Sequence, residues 1–188
     1  MLWYDGCVGK LRQMGIPLAY IRWIKAWLEN REGYIEINDK KSMWFSIGKG
    51  GPQGGILTPT VFITYHADMP DFLSWCSSHF FADDLTAILA GQIGVKYTQQ
   101  CLDLEKKLKL FFDQLEYYSR LTVQPINYSK TEGILGKRSA RAIGSAPFEI
   151  ESGENKINWI KEFKYLGYWI SSKLGWSKMI KKSMLKIR

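Results

Sequence analysis

The sequence predicts an α+β protein, a sheet with helices on one face. Three observations carry this. Apolar residues recur in steps of three and four in several segments, the mark of half-buried helices. Between them lie short β-prone runs bounded by turn residues. The order αα-ββ-loop-α-ββ-α-β-ββ is mixed, without the strand–helix alternation of a parallel sheet. The 188 residues are 46% hydrophobic, enough for a core in one domain, or in a domain plus part of another.

The elements follow in chain order. Val8, Leu11 and Met14 have helical spacing, and Gly15 stops them. Pro17 suits the first turn of a second helix, with Tyr20, Trp23, Ile24, Trp27 and Leu28 as its apolar stripe and Glu29-Asn30-Arg31 at its end. GYIEIND (33–39) and MWFSI (43–47) read as paired strands around the turn dipeptide Asn38-Asp39. In GKGGPQGGILTPTVFITYHADMP (48–70), the clustered glycines mark a loop that bends sharply or lets something approach closely. Thr58 is the expected cap of the next helix, Pro59 its first residue, and Val61, Phe62 and Tyr65 its core face.

HFFADDLTAIL (79–89) reads as two strands joined at Ala82-Asp83-Asp84. A long amphipathic helix runs from about 97 to 120, burying Cys101, Leu104, Leu108, Phe111 or Phe112, Leu115 and Tyr118. A loop with a Pro-Ile-Asn turn leads to a strand near Glu132–Leu135. GKRSARAIGS (136–145) is a polar, basic loop, and PFEIESGENKINWI (147–160) is a hairpin turning at Gly153. FKYLGYWI (163–170) reads as one short strand, and a basic helix capped by Ser177 ends the chain.

The net charge is +8, and residues 161–188 carry eight Lys/Arg against the single acid Glu162. Such a block suits a phosphate-rich partner, although on charge alone a solvated helix face is the slightly better account. Cys7, Cys76 and Cys101 are widely spaced, without a CxxC, so neither a disulfide framework nor a zinc ribbon is expected. This fits a reducing, intracellular compartment, nucleus or cytoplasm. No apolar run is long enough to span a membrane, and the N-terminus does not read as a signal peptide. His66 and His79 are the only histidines, which argues against His-based hydrolase chemistry.

Four short motifs carry chemistry. Asp83 and Asp84 repel each other unless cations neutralise them, and hard ions such as Mg²⁺ suit oxygen donors at a hairpin tip. For a lone Asp-Asp, a polar turn is the better explanation. The glycine loop with Gln53 admits a base, sugar or phosphate, or is simply a tight turn before a helix. Lys130, in Asn127–Glu132, could neutralise a pyrophosphate leaving group, or be an exposed lysine on a capped turn. Lys164 with its aromatic neighbours could hold a nucleic-acid strand, or belong to an ordinary edge strand.

Taken in order, GGPQGGILTPTVF (50–62), FADDL (81–85), NYSKTE (127–132) and FKYLG (163–167) resemble successive palm motifs of reverse transcriptases. They are similar to those of non-LTR (LINE-type), jockey-like retrotransposons. In that family the first motif reads G-x-P-Q-G-S-x-L-S-P-x-L-F, with Gly55 and Thr58 here at the serine positions. The second is usually YADD, with Phe81 here at the tyrosine. GIPLAYIRWIKAWLENR (15–31) also resembles a linking segment of the family.

The resemblance implies a right-hand polymerase palm over 1–170 and the start of a basic thumb helix over 171–188. It implies RNA-directed DNA synthesis on an RNA template and DNA primer, with dNTPs and Mg²⁺, or Mn²⁺ in its place. Asp83 and Asp84 would be the metal-binding pair, Asp83 the more direct ligand. Gly51, Pro52, Gln53 and Gly54, with Phe81, would shape the pocket for template and dNTP. Lys130 would lie near the leaving pyrophosphate, and Phe163, Lys164, Tyr165, Leu166 and Gly167 would form the primer grip. The family's first catalytic motif, D-x-x-x-A-F-D-x-V-W, is matched only at its end, by Met1-Leu2-Trp3. A third carboxylate and the fingers are therefore expected to be missing, and Asp5, Asp68 and Asp71 are poor substitutes. The expectation is a chain inactive alone, the alternative being a non-catalytic nucleic-acid-binding remnant.

Overall fold

The structure is a computed structural model and describes residues 2–92, 94–136, 148–173, 175 and 177–187. It divides into two compact units, residues 1–89 with 114–125 and residues 90–113 with 126–188.

The first unit opens with α1 (Tyr4–Gln13), which has Asp5 in its first turn and Lys10 and Arg12 in its last, matching the helix dipole. It ends where Gly15 turns left-handed (φ +74), with Gly15 N–H donating to Arg12 O at 3.0 Å and Ile16 N–H to Leu11 O at 3.1 Å. That pair of bonds satisfies two carbonyls that a helix end leaves open. Pro17 then sits at the cap of α2 (Leu18–Leu28).

The buried face of α2 is Ile21, Ile24 and Leu28, while Tyr20 and Trp23 are exposed. The expected stripe was therefore rotated by about a residue. Steps of three and four fit both faces, and the aliphatic set is the one that packs into the core with Leu2, Tyr4, Cys7, Val8 and Leu11. Val61 and Tyr65 of α3 (Thr58–Tyr65) complete this core.

Between α2 and α3 the strands pair in nested ladders. β1 (Arg31–Gly33) and β4 (Phe45–Ile47) form the outer ladder, β2 (Glu36–Ile37) and β3 (Lys40–Lys41) the inner one. Asn38 and Asp39 make the turn with φ +49 and +61, a conformation those two residues tolerate. After α3 come α4 (Met69–Phe72), which sequence did not predict, and the hairpin β5 (Ser77–Phe81) with β6 (Asp84–Ile88).

The long helix α5 (Tyr97–Leu121) gives its early turns to the second unit and its last turns to the first. In the second unit, β7 (Glu132–Gly133), β8 (Ile150–Ser152) and β9 (Asn155–Trp159) form a three-stranded sheet, β7 parallel and β8 antiparallel to the central β9. Ile150 and Ile157 are buried opposite each other.

The FKYLGYWI segment is a hairpin and not one strand. β10 (Glu162–Tyr165) and β11 (Tyr168–Ser171) turn at Leu166 (φ +47) and Gly167 (φ +87). Positive φ at both turn positions matches the twist of the flanking strands. The basic α6 (Ser177–Ile187) follows. The loop expected at 136–145 lies outside the described residues from 137 onward.

The mixed helix–strand class is as expected, but the described strands form separate ladders and one small sheet, not a single antiparallel sheet. No described helix is long and apolar enough to cross a membrane.

Candidate functional site

The acidic pair occupies the end of the β5–β6 hairpin. Phe81 pairs with Asp84 as the last rung, leaving Ala82 and Asp83 as the turn. Ala82 takes φ +52, so the chain reverses tightly and both carboxylates stand exposed at the tip. Phe81 is also exposed, at 58%. Among the described residues no group of three or more His, Cys, Asp or Glu gathers in a metal-binding arrangement. The pair supplies hard oxygen donors of the kind Mg²⁺ prefers, in a position open to solvent.

A two-stranded hairpin is marginal without support. Here the support is a polar cluster that sequence reasoning missed. The His66 ring stacks on Phe80 of β5, centroids 5.7 Å apart and planes 19° from parallel. His66 Nδ1 lies 3.2 Å from the Tyr118 hydroxyl, which donates to Asp68 Oδ1 at 3.0 Å. Lys10 Nζ reaches Asp68 Oδ1 at 2.5 Å, Tyr65 O at 2.7 Å and the Tyr118 hydroxyl at 3.1 Å. Tyr65 donates its own hydroxyl proton to Thr122 O at 2.7 Å.

Burial holds Tyr65, Tyr118 and His66, and Cys7 of the neighbouring core, in their neutral forms. It pushes the Tyr65 phenol up to about 12 and the Cys7 thiol up to about 11. The Tyr118 phenol is raised as well, first by burial and then by the Asp68 charge beside it. His66 is pushed down to about 4, by burial and then by the Lys10 ammonium. Asp68, considered above as a substitute ligand, is thus committed to Lys10 and Tyr118. Nothing in the sequence flags this cluster, because its members are up to 108 residues apart.

The glycine loop is held at both ends. Thr58 does not cap α3 with its side chain. It is the first helical residue, and its hydroxyl donates to Pro52 O at 2.6 Å. Gly55 N–H donates to the same carbonyl at 3.1 Å. A Cβ on Gly51 would lie 2.5 Å from Thr58 Cγ2, so the close packing of this turn demands glycine there. Gln53 and Gly54 are left exposed at the apex, with Gly54 at φ +80.

The remaining candidate residues lie in the second unit. Lys130 ends a 3-10 turn (Tyr128–Lys130), and its side chain is exposed. Thr131 Oγ1 donates to Asn127 O at 2.9 Å, and the Tyr128 hydroxyl lies 3.0 Å from Ser152 Oγ, fixing the turn to β8. On β10 the rings of Phe163 and Tyr165 stack at 6.4 Å on one face, and Lys164, between them in sequence, is exposed on the other. Lys182 of α6 sits 3.2 Å over the Trp169 ring and 2.8 Å from Glu162 Oε2. One of the tail's lysines is therefore spent on fastening the helix to the β10–β11 hairpin.

With this geometry in view, the family is decided by a profile. The profile described as "Reverse transcriptase (RNA-dependent DNA polymerase)" matches residues 2–170. The chain belongs to the reverse transcriptase family. Its relatives in Drosophila melanogaster include a probable RNA-directed DNA polymerase from transposon BS, 24% identical over 92% of this chain and 19% of that protein. The RNA-directed DNA polymerase from the mobile element jockey is 26% identical over 95% of this chain and 19% of its own length. A third relative, from transposon X-element, is 24% identical over the whole chain and 20% of its own length. The chain thus spans about a fifth of the length of these relatives. The resemblance to non-LTR, jockey-like reverse transcriptases stands, and it covers both the glycine loop and the acidic hairpin.

Proposed function

We propose that this chain is a palm segment of an RNA-directed DNA polymerase, with residues 171–188 beginning its thumb. The observation that carries the reading is the exposed Asp83–Asp84 pair at the tip of a tight hairpin, within a chain matched to this family. Two divalent ions, Mg²⁺ or Mn²⁺, would supply activation of a primer 3′-hydroxyl and neutralise charge on the leaving pyrophosphate. Asp83 and Asp84 would hold those ions through their carboxylate oxygens, with Asp83 the more direct ligand. Gly54, open at the apex, would let a base pair and sugar approach the backbone, Gly51 would keep the turn beneath it tight against Thr58, and Gln53 would offer its amide from the loop apex. Phe81, exposed beside the acidic pair, would face the dNTP. Lys130 would donate charge or a proton to the pyrophosphate. Lys164, between Phe163 and Tyr165, would hold the primer backbone.

Two carboxylates alone bind ions weakly, so this segment by itself binds an RNA–DNA primer–template without extending it. Primer extension with Mg²⁺, dNTPs and an RNA template, run beside salt-dependent binding of the same hybrid, tests this. Binding without extension is the expected result. Extension that Asp83→Ala leaves intact would overturn the assignment of the acidic pair. Failure to bind the hybrid at low salt would overturn the polymerase reading itself.

A further inference from the structure

The residue that fixes the glycine loop at its entry is Arg31, which sequence analysis placed merely at the end of a helix. Its backbone is pinned first, because Arg31 pairs with Ile47 as the end rung of the β1–β4 ladder. Its guanidinium then serves three elements. Nε donates to Leu28 O at 2.9 Å, satisfying a carbonyl in the last turn of α2. Nη2 donates to the Tyr4 hydroxyl of α1 and to the carbonyl of Gly50. The Tyr4 hydroxyl lies 3.1 Å from the same Gly50 oxygen and 3.3 Å from Ile47 O, and can donate to either.

On the other side of that peptide, Gly50 N–H donates to Leu2 O at 2.9 Å. Gly50 itself has φ +79, a conformation that costs a non-glycine residue dearly. Gly50 is therefore gripped through both its N–H and its C=O, just before the loop whose apex, Gln53 and Gly54, is exposed. Beyond the apex, Gly55 and Thr58 reach back to Pro52 O and close the turn, as described above. A loop closed at both ends presents its apex in one geometry.

We infer that Arg31, acting with Tyr4, is a positioning residue for the Gly51–Gly54 loop and through it for Gln53. The role at Gln53 rests on the polymerase reading, whereas the clamp on Gly50 stands independently of it. A charged donor with a rigid fork is needed because it must span Leu28 O, Gly50 O and a hydroxyl together. A lysine ammonium cannot reproduce that fork.

The test uses the full chain with Arg31→Met, Arg31→Lys, Tyr4→Phe and Gln53→Ala. Amide hydrogen exchange reads the clamp. Arg31→Met should speed exchange at Gly50 and Gly55, the loop amides that donate hydrogen bonds, by roughly tenfold to a hundredfold, the loss of a charge-assisted hydrogen bond. The amide of Val61, bonded to the carbonyl of Leu57 at the cap of α3, should change far less. Tyr4→Phe, which keeps the ring in the core, should give the same pattern with a smaller increase, and Arg31→Lys should fall between. Unchanged loop exchange in both Arg31→Met and Tyr4→Phe overturns the clamp.

Affinity for an RNA–DNA primer–template then separates positioning from direct contact. Arg31→Met and Gln53→Ala should each weaken binding, and the double variant should be no weaker than the worse single one. Additive losses, or complete rescue by Arg31→Lys, would show a phosphate-contacting charge and overturn the positioning role. If the wild-type chain does not bind the hybrid, the polymerase reading fails, and the exchange result still decides the clamp.

Discussion

His66 should make the stability of the first unit depend on pH in a way that one substitution removes. The side chain is only 9% exposed and packs among Phe62, Tyr65, Phe80 and Tyr118. Burial first, then the Lys10 ammonium, lowers its pKa from 6.5 to about 4, opposed by the Asp68 carboxylate and a hydrogen bond with Gln124. Between those two values the unfolded chain binds a proton that the folded chain refuses. The stability contribution is therefore complete above 6.5 and is lost as pH falls toward 4. Crossing the whole window is worth about 3 kcal/mol, and reaching pH 5 about 2 kcal/mol.

His66→Phe is the matching perturbation. It keeps an aromatic ring against Phe80 and removes the titration, while the Tyr118 hydroxyl retains Asp68 as its acceptor. Urea unfolding at a series of pH values from 7.5 to 5, followed by tryptophan fluorescence, gives the two profiles. Every other acid is shared, so the difference between profiles isolates position 66. The variant should gain about 2 kcal/mol relative to wild type between pH 7.5 and 5. Parallel profiles would refute the assignment of a buried, neutral imidazole beneath the hairpin.

Three further outcomes follow from local geometry. Val123 closes the C-terminus of α5 at φ +53, with its N–H on Arg120 O and Gln124 N–H on Ser119 O. A β-branched residue is strained there, so Val123→Gly should raise stability by about 1 kcal/mol in urea unfolding, against the usual cost of glycine. Thr58→Val, nearly equal in shape, deletes the bond to Pro52 O and should cost about 1 kcal/mol, whereas Thr58→Ser should recover most of it. Lys182→Ala removes both the contact over Trp169 and the bond to Glu162. It should cost about 1 kcal/mol and speed amide exchange in β10 and β11 selectively, while Lys181→Ala, on an exposed position, should leave that exchange unchanged.

The parts of this chain that were legible are those in which local chemistry decides. The β5–β6 hairpin could be read from β-prone runs around an acidic turn, and the β2–β3 turn from Asn38-Asp39. The β10–β11 hairpin was missed because Leu166 carries no turn signal, although Gly167 does. Its left-handed leucine is imposed by the register on either side, which pairs Tyr165 with Tyr168. On α2 the aromatic residues dominated the pattern, yet the core selected Ile21, Ile24 and Leu28. Thr58 has the chemistry of a helix cap, and its hydroxyl was diverted to a carbonyl in the preceding loop. Lys10, Asp68, Tyr118 and His66 were illegible as a cluster because only the packing of α1, α3 and the end of α5 brings them together.

That division also explains why the two recognisable motifs are not self-sufficient. A nucleotidyl-transfer site needs its groups held to within about half an ångström, and neither a two-stranded hairpin nor a glycine loop is stiff enough alone. Each motif is backed by a polar device built from residues far away in sequence. Lys10, Asp68, Tyr118 and His66 stand behind Phe80 on the acidic hairpin, and Arg31 with Tyr4 holds the glycine loop at Gly50. Both devices draw on α1, which supplies Tyr4 and Lys10 from a single helix of ten residues. The helix carries no motif of its own, yet it ties the glycine loop and the acidic hairpin to one rigid element. A motif search finds the groups that would meet the nucleotide, and the physics of holding them still is written in residues that such a search passes over.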